Sequence, residues 1–307
     1  MIDWNDELVD KIRNLKEQRS AIILAHNYQR GEVQDIADFV GDSLELSQKA
    51  AQTDAEVIIF CGVHFMAETA SILCPDKIVL LPDTNAGCPM ANMITTENLR
   101  KRKQEHPGVP VVCYVNSSAE VKAESDICCT SANAVRVIES LDAKEILFVP
   151  DQYLGHYSST KTDKEVILWP GFCPTHVRIQ AKDITKLKQR YPEAKVMVHP
   201  ECRPDVIALA DETLSTSGMI SFVRKTEAKE IIVGTEIGII HRLGKENPGK
   251  KFIPASEKAV CPNMKLITLE KVLWSLEDMA HEVKVTEEIR LKAKLAVDRM
   301  LNIGRED

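Results

Sequence analysis

Three cysteine–proline pairs lie at nearly constant spacing in this chain of 307 residues. The cysteines are Cys88, Cys173 and Cys261, which lie 85 and 88 positions apart. Each pair follows a short, largely apolar run, as expected at the end of a buried strand. A thiol placed three times at the end of a strand predicts three copies of one unit. It also predicts a shared site at which the three thiols could converge.

The first strand of each copy ends in polar side chains. These strands are predicted at 21–25, 111–113 and 196–198, and the polar pairs that follow them are His26 with Tyr28, Tyr114 with Asn116, and His199 with Glu201. One such pair is most simply the polar end of a strand. Three pairs at equivalent positions, all able to transfer protons or form hydrogen bonds, predict a polar cavity.

A small hydroxyl residue opens a helical pattern in each copy, at Ser43, Ser131 and Thr216. Taken singly, each is predicted to be a helix N-cap, because its oxygen can accept from the free N–H groups of the first turn. Three helix N-termini directed at one axis would also bind anions, through those N–H groups and the helix dipoles. The basic run at 100–103 is interpreted as a solvated helix face.

The repeat predicts an α/β fold. We expect three pseudo-symmetric, three-layer αβα domains with short parallel sheets around a central cavity, each unit running strand, helix, strand, connection, strand, helix. The predicted boundaries are 1–106, 107–192 and 193–280 for the three repeats and 281–307 for a C-terminal helix. Ligands bind at the carboxyl ends of strands in open parallel sheets, so the strand-end pairs and the cysteines should face one cavity.

Composition excludes several classes of function. The net charge of −7 argues against nucleic acid or an anionic membrane as a partner. No apolar run approaches the roughly 20 residues needed to span a bilayer. The nine cysteines are odd in number and form no dense framework, which favours a reduced, cytoplasmic protein. The common dinucleotide, phosphate-loop and zinc-protease motifs are absent from the sequence.

Most cysteines in proteins are buried packing residues. That role is predicted for Cys61, Cys74, Cys113, Cys128, Cys129 and Cys202. The set of Cys88, Cys173 and Cys261 differs because its members recur in register. Three thiolates could hold zinc with one open position, or a four-iron cluster with one iron that lacks a protein ligand. The residues alone leave both options open, together with the absence of any metal.

In combination, longer motifs resemble those of the quinolinate synthase family, iron–sulfur enzymes of NAD biosynthesis. The resemblance runs from near the N-terminus to about Thr268. The motifs that carry it are 25–28, 41–43, 86–90, 114–116, 130–133, 150–151, 171–176, 199–202, 215–219, 234–236 and 261–264. A Cys-x-x-Cys-x-x-Cys segment found near the C-terminus of some members is missing here. The three-domain fold of the family agrees with the repeat.

The resemblance implies a condensation of iminoaspartate with dihydroxyacetone phosphate, which releases phosphate and two waters and forms quinolinate. It implies a [4Fe-4S] cluster on Cys88, Cys173 and Cys261, with the fourth iron as a Lewis acid. The implied partners are these two small molecules, and there is room for a transient contact with the enzyme that oxidises aspartate. Neither nucleic acid nor a membrane is implied.

The resemblance also assigns roles to side chains. Glu201 would be the general base, with His199 beside it on the phosphate or enolate, and Tyr28 with His26 would assist a ketose–aldose isomerisation. The full set of implied catalytic residues is His26, Tyr28, Tyr114, His176, His199 and Glu201. The implied substrate-binding residues are His26, Ser43, Tyr114, Asn116, Ser131, His199, Glu201 and Thr216. Lys225 is a further position that the family suggests, without a stated role.

Two alternatives remain open at this point. One is an aconitase-like hydro-lyase that acts on another acid with the same open cluster. The other is a non-enzymatic iron–sulfur redox sensor. A sensor needs no ring of acid–base residues around its cluster, so His26, Tyr28 and Glu201 argue against it.

Overall fold

The computed structural model describes residues 4–305, so the outer ends of the predicted first repeat and C-terminal helix, 1–3 and 306–307, lie outside the described residues. The described chain is α/β, as predicted, with three parallel sheets of four strands each. No helix in this part of the chain is long and apolar enough to cross a bilayer.

The first unit contains the strands β1 (Ala21–His26), β2 (Phe39–Gly41), β3 (Val57–Cys61) and β4 (Ile78–Leu80), in the spatial order β2-β1-β3-β4. Its helices are α1 (Trp4–Gln18), α2 (Gly31–Ile36), α3 (Ser43–Gln52), α4 (His64–Leu73) and α5 (Thr96–Glu105). Of the two central strands, β3 is buried along its whole length and β1 over its last four residues. Burial on both faces is what an all-parallel sheet between helices requires.

The second unit repeats this plan with β5 (Val111–Tyr114), β6 (Ile127–Cys129), β7 (Glu145–Val149) and β8 (Glu165–Leu168), ordered β6-β5-β7-β8. Its helices are α6 (Ala119–Ala123), α7 (Ala134–Glu139), α8 (Gln152–Ser159) and α9 (Ala181–Arg190). The strand order therefore matches that of the first unit position by position.

The third unit contains β9 (Lys195–Val198), β10 (Glu212–Thr213), β11 (Glu230–Gly234) and β12 (Lys251–Pro254), ordered β10-β9-β11-β12. Its helices are α10 (Pro204–Ile207), α11 (Thr216–Lys225), α12 (Ile239–Glu246) and α13 (Leu269–Asp278), and α14 (Glu287–Ile303) follows. Helix α13 packs against α1 and β3 of the first unit, and α14 packs against α6 and β6 of the second. The end of the chain thereby ties the three units together.

The prediction of three strands per unit was wrong, because each sheet has a fourth, very short edge strand: β2, β6 or β10. Two or three residues are too few to show a periodicity. An aspartate precedes each of these strands, and its carboxylate accepts from a backbone N–H of the neighbouring central strand at 2.8 Å. These residues are Asp38, Asp126 and Asp211, whose repetition is the signal that the sequence offered for the missing strand.

Candidate active site

One cavity of about 200 Å³ lies among the three units, where the carboxyl ends of their strands meet. Its wall includes all three strand-end pairs, all three hydroxyl residues, the three Cys-Pro cysteines and His176. Lys225 is absent from this wall, since it is exposed at the last turn of α11. The strand-end pairs, hydroxyl residues and cysteines that the repeat predicted to face one cavity do line it, whereas Lys225, which only the family resemblance suggested, does not.

The thiols of Cys88, Cys173 and Cys261 are partly exposed at the cavity, whereas the other six cysteines are buried, as predicted for packing residues. A 3₁₀ turn begins three residues after each of the three, at Ala91, His176 and Met264. Burial raises the pKa of each thiol, to about 12 for Cys88, while the backbone N–H of that third residue opposes the rise by donating to the sulfur. The same local turn thus gives each sulfur a backbone N–H donor.

Glu201 is buried at the centre of the acid–base residues. Its Oε1 accepts from the Tyr114 hydroxyl at 2.6 Å, and its Oε2 lies 2.6 Å from His176 Nδ1. Burial alone would raise the pKa of this carboxyl, but the contacts of His176, His199 and Tyr114 outweigh burial and lower its pKa to about 2. Glu201 is therefore ionised at neutral pH and stays so while these partners are in place.

His176 connects three functional groups. Its Nδ1 is 3.1 Å from Cys173 Sγ as well as 2.6 Å from Glu201, and its Nε2 is 2.8 Å from Thr235 Oγ1. Thr235 Oγ1 in turn lies 2.5 Å from the Tyr28 hydroxyl. Because a carboxylate can only accept, His176 donates from Nδ1 to Glu201. The chain of contacts joins Tyr28 to Glu201.

The two other histidines of the cavity are neutral at pH 7. Burial lowers the pKa of His26 to about 4 and that of His199 to about 3, although nearby carboxylates pull both values upward. His199 stacks on His176 with ring centroids 4.7 Å apart, and its Nε2 is 3.1 Å from Ser131 Oγ. Neutral rings can donate and accept hydrogen bonds without the cost of a buried cation.

The predicted N-caps were wrong, each by a short shift along the chain. Asp42 caps α3 in a capping box with Glu45, and Ser215 caps α11 by accepting from the Gly218 N–H. Thr216, like Ser43, is the first residue inside its helix, and Ser131 lies in the turn before α7. Adjacent polar residues compete for a cap, and backbone angles decide between them. Since these three hydroxyl groups do not cap their helices, they can take part in contacts at the cavity wall.

One polar atom on the wall has no partner. Asn116 Oδ1 is buried from solvent and accepts no hydrogen bond among the described residues. An unpaired buried amide oxygen is costly, so such an atom at a cavity wall is a candidate ligand contact. The strand-end rule found Asn116 but missed Thr235, which follows β11 directly. Applied to the second central strand of each unit, the same rule would have identified Thr235.

Comparisons with known proteins agree over almost the whole chain. The sequence model of the family described as Quinolinate synthetase A protein matches residues 10–302, well beyond the limit near Thr268 that the motifs alone suggested. A quinolinate synthase of Dehalococcoides mccartyi strain CBDB1 is 66% identical over 300 residues, which cover 98% of this chain and 99% of the relative.

More distant relatives carry the same name. A quinolinate synthase of Geotalea uraniireducens is 58% identical over 303 residues, covering 99% of this chain and all of the relative. A quinolinate synthase of Methanosarcina barkeri is 57% identical over 297 residues, covering 97% and 98%. With the repeat, the cavity and these full-length matches in agreement, the chain belongs to the quinolinate synthetase A family of enzymes.

Proposed function

We propose that this protein condenses iminoaspartate with dihydroxyacetone phosphate to form quinolinate, phosphate and two waters, with a [4Fe-4S] cluster held by Cys88, Cys173 and Cys261. The observation that carries the proposal is one cavity in which three thiols, one from each unit, share a wall with the Glu201–His176–Thr235–Tyr28 contacts. The full-length similarity to enzymes named quinolinate synthase supports the choice of reaction.

The residues present fit a cluster better than a single ion. Among the described residues, the compact set of possible single-ion ligands is Cys173, His176 and Glu201, and it includes neither Cys88 nor Cys261. Thiolates that share one tetrahedral zinc at about 2.3 Å would lie only about 3.8 Å apart. In a four-iron cluster each thiolate binds a different iron, so the sulfurs are spread more widely. Backbone N–H groups that donate to all three sulfurs also suit cluster ligands.

Space beside one of these cysteines supports the same reading. A methyl group added at Gly87 would have no heavy atom within 4 Å apart from its chain neighbours Ala86 and Cys88, so the wall at this position leaves open space. When bound, a cluster with one iron lacking a protein ligand supplies a Lewis acid that polarises a bound oxygen or nitrogen.

The protein's own groups would move the protons. Glu201 is a carboxylate that Tyr114 and His176 hold at 2.6 Å each, so it can accept a proton when substrate displaces one of these contacts. A low pKa makes it a weak base until then. The Tyr28 phenol stays protonated, because burial raises its pKa well above the usual value, and it can donate through Thr235 toward His176.

The substrates carry several negative charges, and the cavity wall includes one arginine, Arg178, together with neutral hydrogen-bonding groups. Helices α3 and α11 direct their N-termini at the cavity, where Ser43 and Thr216 line the wall. His26 and His199 are neutral donors and acceptors, and Asn116 leaves an amide oxygen unpaired. These groups would orient carboxylates and phosphate by hydrogen bonds.

A second possibility for the metal rests on one geometric fact. One sulfur, one imidazole nitrogen and one carboxylate oxygen, from Cys173, His176 and Glu201, all lie within 4.8 Å of one another. That set could bind a single ion. The close contact between His176 and Glu201 already satisfies these two groups without a metal, so the set is better explained as part of the proton path.

The test is anaerobic purification, measurement of iron, sulfide and zinc, and an assay with iminoaspartate and dihydroxyacetone phosphate. We expect about four irons and four sulfides per chain, little zinc, and quinolinate as the product. Stoichiometric zinc without iron would support the single-ion site and overturn the cluster. A four-iron protein that forms no quinolinate would favour another hydro-lyase or a sensor.

A further inference from the structure

Buried acidic residues follow the second of the two central strands in two of the three units. Glu236 stands two residues after β11, and Asp151 stands two residues after β7. Both are fully buried. The equivalent position after β3 is Val63. Buried carboxyl groups are expensive and usually have partners, so their repetition beside the cavity requires an explanation.

Glu236 is fully engaged, and one of its partners is the backbone of a Cys-Pro cysteine. Its Oε1 accepts from the Cys261 N–H at 3.1 Å, and its Oε2 accepts from the Gly238 N–H at 2.7 Å. Lys265 Nζ lies 3.0 Å from Oε1 and 3.1 Å from Oε2. The carboxylate thus fixes the amide of Cys261 to the end of β11, and the lysine neutralises its charge.

Lys265 carries the connection into the first unit. Its Nζ also donates to the backbone carbonyl of Tyr28, 237 residues away in the sequence. The cluster is closely packed around Gly238, where an added Cβ would lie 2.5 Å from Lys265 Nζ, 2.7 Å from Glu236 Oε2 and 2.7 Å from the Tyr28 carbonyl oxygen. Any side chain at Gly238 would therefore push these groups apart.

The other two units hold their cysteines differently. In the second unit, the Cys173 N–H lies near Asp151, but Asp151 Oδ2 has no hydrogen bond within 3.5 Å among the described residues. In the first unit, the apolar Val63 can offer no acceptor, and Asn263 of the third unit donates to the Gly87 carbonyl at 2.6 Å instead. The Cys261 loop is therefore the one held by a carboxylate that accepts hydrogen bonds at both of its oxygens. Asn263 of the same loop also supports the Cys88 loop.

We propose that Glu236 and Lys265 are a positioning pair that fixes the Cys261 loop against the Tyr28 backbone, so that the metal-binding sulfur and the Tyr28 phenol keep one relative placement. The proposal rests on the proposed function for its catalytic meaning, but the positioning itself is a property of the metal-free chain. Charge-assisted hydrogen bonds of this kind are stronger than neutral ones, and removing one partner leaves the other charge uncompensated.

The test compares Glu236→Gln, Lys265→Met and the double variant with the parent. Glu230→Gln is the matched control, since Glu230 lies at the opposite end of β11 in a partly exposed pair with Lys251. The measured quantity is the rate at which Cys261 of the metal-free protein reacts with iodoacetamide, read by mass spectrometry, with Cys173 of the same sample as internal reference. Circular dichroism and thermal melting establish that each variant is folded.

We expect the Cys261 rate to rise roughly tenfold in each single variant while the Cys173 rate and the control variant stay near the parent. The Cys261 rate in the double variant should be no higher than in the single variants, because both changes break the same hydrogen-bond network. In the iron-loaded enzyme, kcat should fall more than KM rises, since the placement of Tyr28 and not substrate affinity is altered.

Equal Cys261 rates in the parent and in a folded Glu236→Gln variant would overturn the proposal, whatever reaction the enzyme catalyses. A rise at Cys261 and Cys173 alike would also overturn it, because that pattern reports general loosening. If the parent instead makes no quinolinate, the proposed function fails while the thiol measurement still decides the positioning role.

Discussion

Two parts of the cavity wall follow opposite rules. The thiol set, Cys88, Cys173 and Cys261, repeats without change, one sulfur per unit after the same strand and before the same 3₁₀ turn. The acid–base set occupies equally repeated positions but differs in every unit: His26 with Tyr28, Tyr114 with Asn116, and His199 with Glu201. Residue type is kept in one set and varied in the other.

The difference separates two tasks. A metal group whose ligand positions are equivalent can be bound by identical residues, so the repeat can supply its ligands directly. An unsymmetrical substrate needs a base, donors and anion contacts at distinct places, so the repeated scaffold must carry different side chains. Departures from symmetry in this set are therefore the candidates for groups that act on substrate, and His176 is another candidate, since Ala91 and Met264 stand at its equivalent positions.

The largest effect should come from breaking the thiol set. Cys173→Ala is expected to lose the iron–sulfur absorbance and all detectable activity, because two thiolates cannot hold the cluster in place. Cys61→Ala, which removes a buried cysteine of β3, should keep both. Iron analysis of anaerobic preparations measures the outcome. Equal iron loss in the two variants would mean that the three-cysteine assignment is wrong.

The next effect concerns the carboxylate of the acid–base set. Glu201→Gln keeps the shape of the side chain and can still accept from Tyr114, but it cannot take a proton. We expect an intact cluster, retained substrate binding and a turnover lower by roughly 10²–10⁴. Glu145→Gln, at the exposed amino end of β7, is the control. Parent-like turnover of Glu201→Gln would place the base elsewhere, and Tyr28 or His176 would be examined next.

The smallest effect should come from a single hydroxyl. Ser131→Ala removes a contact to His199 at 3.1 Å, and we expect a roughly three- to tenfold weaker affinity for a dicarboxylate analogue. The melting temperature should hardly change, because Ser131 does not cap α7. Ser140→Ala, at the other end of that helix, is the control for binding. Unchanged affinity in Ser131→Ala would assign this hydroxyl a structural role only.

The sequence predicted the central strands well because each is a continuous apolar run repeated at nearly constant spacing. It missed β2, β6 and β10, since two or three residues gain strand structure only by pairing with a neighbour. It misplaced the caps because Asp42 beside Ser43, and Ser215 beside Thr216, are equally good candidates by type. Residue type alone does not determine which of two neighbouring candidates caps a helix. The backbone geometry selected between them.

The sequence by itself determined the threefold repeat, the α/β class and the strand-end pairs, hydroxyl residues and cysteines that line the cavity, because these depend on local patterns and their spacing. Only the tertiary structure decided which of those residues touch. His176 reaches Tyr28 across 148 positions, and Lys265 reaches the Tyr28 carbonyl across 237. Such contacts depend on how the three sheets pack around the cavity, and no local sequence pattern determines that packing.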